Sequence, residues 1–343
     1  MIQLYDITQS EQWDTLVRSF VDWDVYYLSG YVKAFQIHGD GDPYLLYYQD
    51  NGLRAIYVYM RRETALPGVY DSVTPYGYGG VLFEGDCSEQ NRKAFLAEYV
   101  AKMREEHIIA GFVRYHPVLR NAALMKDVSD VLDLGRTIAM DLTSPEVIWR
   151  RIVSKNRNMI RKAEKNGIVF YHGKGMGLMD QFMELYNATM IKDHADEYFF
   201  FKRPFYESID RDLKNHYEIF YAMYEGRPIA MSIMLFANGR LNYHLSGSDF
   251  EYRKLAPSNS LLYKAALWGC ELGCKTFHLG GGVGSSYDGV YRFKAAFNRK
   301  SDYQFSIGKQ VFDWEKYEEL VRIRKETDPG FDETSSFFPL YRG

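Results

Sequence analysis

Apolar residues recur along this chain at two periods, every second position in some stretches and every third or fourth in others. Trp13, Leu16, Val17 and Phe20 follow Ser10 at helical spacing, which predicts a capped amphipathic helix. Residues 28–37, including Lys33, predict a second short helix or turn. Residues 43–49 and 53–61 read as strands joined by Asp50-Asn51-Gly52, a hairpin signal. The segment 71–80, DSVTPYGYGG, reads as an aromatic, glycine-rich loop and not as a strand. Ser88 then caps a predicted helix to about Glu106, and strands are expected at 111–115 and 136–142.

A capping-box pattern, Thr143-Ser144-Pro145-Glu146, launches one long predicted helix to Asn166, stopped by Gly167. Helices follow at 179–190 and after Pro204, then a hairpin, 217–224 and 228–236, around Glu225-Gly226-Arg227. Asn238-Gly239 turns into a strand at 241–245. Pro257-Ser258 opens a helix, with Ser258 as its expected cap, whose apolar face is Leu261, Ala265, Trp268 and Leu272 and whose stop is Gly273. A strand at 276–279 runs into Gly280-Gly281-Gly282, and another is expected at 303–307, before a tail with one helix from about Phe312. Both halves repeat the same order of elements without a residue-level repeat. The pattern predicts two similar α/β domains, 1–142 and 143–343, a frame that places sites at glycine-lined openings.

The 42 basic and 45 acidic side chains among 343 residues argue against a protein that coats nucleic acid wholesale, while a local basic groove stays compatible. The 29 tyrosines suit walls that are apolar yet hydrogen-bond, or simply fill half-exposed strands. Cys87, Cys270 and Cys274 form neither a disulfide framework nor a zinc set, which predicts a reducing compartment. The N-terminus has no signal-peptide pattern, and the apolar run 229–237 is too short to span a bilayer. A soluble, cytoplasmic protein without membrane insertion is expected.

Few motifs point to chemistry by themselves. His172–Gly177 lacks the Lys-Ser pair of a phosphate loop, and Gly280–Gly284 is no dinucleotide fingerprint. No histidine spacing suggests a metal, and no nucleophile elbow is present. Between Arg150 and Lys165 seven basic residues face one acid; Arg150, Arg157 and Arg161 would share a helix face. Either a phosphate contact, such as tRNA, or a plain surface helix accounts for them. The junction Arg253-Lys-Leu-Ala256-Pro257-Ser258 occupies the place of the pyrophosphate loop of acyl-coenzyme A N-acetyltransferases, with alanine for a glycine and a proline that lacks an N–H.

The two acetyltransferase-like halves, the segments NRNMIRKAEKNGI and PSNSLLYKAALWGCELGCKTFHLGG, and the hook YRFKAAF together resemble the FemABX aminoacyltransferases. The resemblance covers most of the chain and is most specific in its second half. It implies two tandem acyl-CoA N-acyltransferase (GNAT)-like domains, with mixed sheets flanked by helices. It also implies transfer of an amino acid from aminoacyl-tRNA to the amine of a nucleotide- or lipid-linked peptidoglycan precursor, with no bound cofactor. The family's Phe-Lys pair falls on Phe293-Lys294, with Lys294 stabilising charge on the ester carbonyl or the departing tRNA hydroxyl. Its phosphate-binding lysine falls on Lys33. A basic residue and a tyrosine four positions later fall on Lys202, with Arg203 as the alternative, and Tyr206; a strand tyrosine falls on Tyr243. The family's Pro-Arg-Gly loop is TPYGYGG here.

Two alternatives stand beside this reading. One is an acyl-CoA-dependent N-acyltransferase acting on a sugar or lipid amine. The other is a non-catalytic ligand-binding module on the same scaffold. Asp249 and Asp288 flank the glycine-lined opening in sequence, and neither is singled out as a general base.

Overall fold

In the computed structural model, which describes residues 1–343, the Asp50-Asn51-Gly52 turn closes a two-residue hairpin. Asn51 and Gly52 take positive φ, 48° and 78°, the geometry whose twist matches the flanking strands. The chain divides into two compact units: Met1–Leu134 with Phe305–Gly343, and Gly135–Gln304. These units differ in two respects from a sequential division after residue 142: the boundary falls between Leu134 and Gly135, and the tail belongs to the first unit. The C-terminal tail packs with the N-terminal unit, because its strand finds its partner there.

The first unit runs β1 (Ile2–Asp6), α1 (Ser10–Arg18), α2 (Ser29–His38), β2 (Asp42–Asp50), β3 (Leu53–Glu63), β4 (Tyr70–Val73), β5 (Leu82–Gly85), α3 (Glu89–Glu105) and β6 (Ile108–Arg114). Neighbouring strands pair antiparallel, except β4 with β6, which are parallel and linked across α3. Phe95, Tyr99 and Met103 of α3 pack on Leu46, Ala55 and Tyr57 of the sheet. The expected loop at 71–80 therefore begins as a strand. Asp71 and Ser72, both fully buried, made that strand look polar in the sequence. Asp71 accepts from the Nε of Arg62 at 2.7 Å, from Tyr341 Oη at 3.0 Å and from Arg342.

β7 (Val131–Asp141) leads into the second unit, which begins at its Gly135 and goes on through α4 (Pro145–Arg151), α5 (Ser154–Lys165), β8 (Val169–Gly173), α6 (Met176–Lys192), α7 (Arg203–Asp212), β9 (Tyr217–Tyr224) and β10 (Arg227–Ala237). It continues through β11 (Arg240–Ser248), α8 (Pro257–Glu271), β12 (Thr276–Gly280) and α9 (Gly289–Ala295). Its sheet order is β7-β12-β11-β10-β9-β8, antiparallel except for β11 and β12. Leu261, Leu262 and Ala265 of α8 pack with Ala230 and Met234 on one face. Gly247, paired with Met231, points to the other face. A Cβ there would stand 2.7 Å from the Tyr186 amide nitrogen, so only glycine lets α6 lie that close. The tail returns through β13 (Tyr303–Val311), antiparallel to β6, and α10 (Trp314–Thr327).

Two expected helix features are corrected. The long helix to Asn166 is two helices, broken where Ile152 and Val153 take extended ψ of 133° and 147°. The break is held from outside: the Val153 amide donates to Ala296 O at 2.9 Å, and Arg157 Nη1 donates to Ile152 O at 2.6 Å. Ser258 is not the cap of α8. Ala256 takes that position at φ 59°, with Pro257 as the first helical residue.

Candidate active site

The parallel ladder of β11 and β12 is short. It pairs Arg240 with Thr276, Leu241 with Phe277 and Asn242 with His278, and ends there. Beyond it β12 keeps its partner on the other side, Gly280 against Ile138, while β11 keeps β10. The carboxyl ends of the two strands are thus not joined to each other, and an α/β sheet opens for ligands at such ends. On β11 the register slips between the pairs Ile233–Leu245 and Met234–Tyr243, so His244 is the extra residue of a β-bulge. Burial lowers the His244 pKa to about 3, which keeps its imidazole neutral. Tyr243 packs against the core. Burial pushes its pKa up, with hydrogen bonding by Ser246 and Ser232 opposing.

The β12 side carries the glycine-rich loop and α9. Gly280 and Gly284 have φ of 79° and 56°. Gly282 is a site of close approach within the loop itself: a Cβ would meet Ser286 O at 2.1 Å and Asp288 Oδ1 at 2.6 Å. A glycine-lined opening has room for a ligand's main chain, but at Gly282 the loop's own backbone fills that space. Asp288 caps α9, accepting from Tyr291 N at 2.8 Å and, through its other oxygen, from Val283 N at 3.2 Å. These backbone donors, Tyr291 first, hold its carboxyl below the ordinary range.

Lys294, on the last turn of α9, donates its Nζ to Gly281 O at 2.7 Å. Burial brings its pKa down to about 8, with Asp288 pulling the other way. An ammonium with that pKa is charged at neutral pH and gives up its proton more readily than an exposed lysine. It suits both charge stabilisation and proton donation to a leaving oxygen. Phe293 packs into the core beside it and meets Phe297 edge-on, ring centroids 5.5 Å apart. The far end of α9 is fixed by the Ala296–Val153 hydrogen bond.

The remaining sequence candidates occupy varied environments. Lys33 lies on α2, which the Tyr31 hydroxyl ties to Tyr76 O of the TPYGYGG loop at 2.6 Å. Lys202 is exposed at the start of α7, and Arg203 is engaged by Asp180 and Glu207. Tyr206 is fully buried against Phe182 and Phe205, so it presents no surface to a ligand. The shared helix face expected for Arg150, Arg157 and Arg161 is split by the break: Arg150 belongs to α4, the other two to α5. Arg157 and Arg161 both lie over the Trp149 ring, 5.9 and 5.0 Å from its centroid. Asp249 accepts from Glu251 N at 2.9 Å, so both aspartates flanking the opening serve as caps.

Two features of the site escaped sequence reasoning. His244 gave no signal, because a bulge is a property of pairing and not of local pattern. The cap at Asp288 was legible in principle, since an aspartate stands three residues before Tyr291 at the head of the hook. No group of three or more His, Cys, Asp or Glu side chains is placed to hold a metal ion, and no helix is long and apolar enough to cross a membrane.

Residues 150–295 match the acetyltransferase (GNAT) domain family. No curated protein sequence matches the chain. Among solved structures, FemX superposes with a TM-score of 0.69 at 13% identity, covering 92% of this chain and 99% of that one. A conserved protein of unknown function from Bacteroides thetaiotaomicron gives 0.61 at 10% identity, covering 91% and 100%. The C-terminal domain of an Agrobacterium fabrum protein described as a lysylphosphatidylglycerol synthetase gives 0.60 at 15%, covering 90% and 92%. The second unit thus carries an acyltransferase-type domain, and the chain as a whole has the FemX-like GNAT fold that its residues imply.

Proposed function

We propose that this chain is an aminoacyltransferase. It takes an aminoacyl group from charged tRNA and forms an amide with the amine of a peptidoglycan-precursor peptide, nucleotide- or lipid-linked. One observation carries the reading: a part-buried lysine ammonium, Lys294, is aimed at the glycine-rich loop on the open side of β12. In the step, the neutral amine attacks the ester carbonyl carbon, the C–N bond forms, and the bond to the tRNA ribose oxygen breaks. Lys294 steadies the charge on oxygen and supplies the proton the ribose oxygen needs; the amine's proton leaves to solvent. No covalent enzyme intermediate is required. Lys33, Lys202 and Tyr243 are assigned to substrate contacts by the resemblance, and the run of basic residues assigns Arg150 and Arg161 to tRNA phosphates. Tyr206 is assigned to the core.

Ala256 and Pro257 at the head of α8 favour a tRNA-linked donor over acyl-coenzyme A, because the cradle for a pyrophosphate has one N–H donor fewer. The test is single-turnover transfer from radiolabelled aminoacyl-tRNA and, in parallel, from acyl-coenzyme A, to precursor peptides with and without a free amine. Transfer from tRNA to the amine-bearing peptide is expected. Transfer from coenzyme A alone, or full activity in Lys294→Ala, would overturn the reading.

A further inference from the structure

The first unit contains a cavity of about 530 Å³ that the transfer chemistry does not use. Leu96 of α3, Val113 of β6, Met125 and Val311 form its apolar wall, and Ser129, Asp130, Lys309 and Gln310 its polar rim. Three tyrosines from separate elements, Tyr57 of β3, Tyr99 of α3 and Tyr115 just after β6, converge on it. Tyr57 is 0% exposed, and its hydroxyl meets that of Tyr99, a pair in which one proton bridges the two oxygens and the other is left over. The Tyr115 hydroxyl borders Gly308, where a Cβ would stand 3.2 Å away, so the glycine keeps the space beside that hydroxyl open. Native interiors rarely leave a buried polar group unanswered, and the spare proton of a hydroxyl pair that lines a cavity is a waiting donor.

The geometry points to a second binding site in this unit, one that takes a small uncharged apolar molecule bearing a carbonyl or ether oxygen. Burial raises all three phenol pKa values, that of Tyr115 to about 12, so the hydroxyls stay protonated and donate. Donors without a formal charge favour a neutral acceptor oxygen. A carboxylate would lose its hydration there with no cation to replace it. The cation on the wall, Lys309, is committed: its Nζ donates to Ser336 O at 2.8 Å and lies over the Phe338 ring. Trp314, 64% exposed, lines the same cavity and offers an aromatic face at its opening.

Benzophenone is a suitable probe, being an uncharged ketone that photolabels the C–H groups it rests against. Irradiation of the full chain with benzophenone should label peptides containing Leu96, Val113 or Met125. Val113→Trp, which fills the cavity, should reduce that labelling at least about tenfold. Leu96→Trp serves as the second filling variant in case the first does not fold. Tyr57→Phe should fold normally and weaken binding by about fivefold. Lys294→Ala should label as the wild type does, which separates this site from the transferase reading. Labelling scattered over surface peptides, labelling unchanged in a folded filling variant, or unaltered affinity in Tyr57→Phe would overturn the assignment.

Discussion

The ammonium of Lys294 rests 2.7 Å from the carbonyl oxygen of Gly281, and a single carboxylate organises both partners. Asp288 caps the helix that carries Lys294 and ties down Val283 of the loop that carries Gly281. Lys294→Ala should lower the transfer rate by about 100-fold or more, the cost of losing one well-placed donor to a developing oxyanion. Circular dichroism and melting should show a folded chain, because Lys294 contributes a hydrogen bond and no core packing. Single-turnover kinetics at saturating acceptor check this.

The same lysine sets a pH dependence whose sign follows from its lowered pKa. The proposed transfer step needs the ammonium, so activity should fall as pH rises through about 8. Stability moves the other way. Below about 8 the folded and unfolded chains both hold the proton, and the folded state carries the full cost of a desolvated ammonium. Between about 8 and roughly 10.4, the unfolded lysine value, only the unfolded chain keeps the proton, so this group's contribution rises with pH. Urea unfolding of wild type and Lys294→Met at about pH 7 and about pH 10 checks the sign. The variant's stability advantage should shrink at the higher pH. Asp288→Asn should move the alkaline limb of activity to lower pH, since the carboxylate's charge supports the ammonium.

Gly282 supplies a steric test of the loop. A methyl group at this position would lie 2.1 Å from Ser286 O, so Gly282→Ala must displace either the loop or the Asp288 cap. A displacement of about 1 Å costs up to about 100-fold in rate when it misplaces a catalytic group. Activity should therefore fall at least about tenfold while the melting temperature changes little, because the loop is partly exposed. Unchanged kinetics in Gly282→Ala would show that the loop does not position Lys294.

The tail anchors the first unit by chemistry remote from the site. Asp71 is 0% exposed and shares its two oxygens among Arg62, Arg342 and Tyr341. Removing residues 340–343 leaves the buried carboxylate with one arginine, and breaking a buried pair costs about 3–5 kcal/mol. Truncation should lower stability by about 3 kcal/mol in chemical denaturation, the surviving Arg62 contact limiting the loss. Asp71→Asn in the truncated chain should recover part of it.

What the sequence disclosed divides along physical lines. The Asn51-Gly52 hairpin, the Gly273 stop and the three-stranded meander were legible because turn chemistry is local. Strand β4 was not, because Asp71 is polar in the sequence and its burial draws on Arg62 of the neighbouring strand and on Tyr341 and Arg342 from the far end of the chain. The Phe293-Lys294 pair is singled out by resemblance alone; nothing in its spacing marks it as reactive. Tyr206 illustrates the converse, a residue matched by pattern that tertiary packing encloses.

The break between α4 and α5 is the least legible feature and ties a basic residue to the site. Helical periodicity runs on through Ile152 and Val153, and the reason for stopping, Ala296 O, lies at the far end of the unit's sequence. Arg157 holds the break by donating to Ile152 O at 2.6 Å, and Val153 holds the end of the Lys294 helix. Arg157 is thus a positioning residue, whereas Arg161 is exposed and stacks on Trp149. Arg157→Ala should cost about 1–2 kcal/mol of stability, as the loss of a charged hydrogen bond, and should lower kcat without changing the salt dependence of tRNA binding. Arg161→Ala should leave stability and kcat near wild type, weaken tRNA binding and reduce the slope of log affinity against log salt by about 0.7–0.9. Fluorescence anisotropy with labelled tRNA across a salt series, set beside single-turnover rates, separates the two roles. If both variants shift only the salt slope, Arg157 acts on tRNA, and the link from the helix break to Lys294 fails.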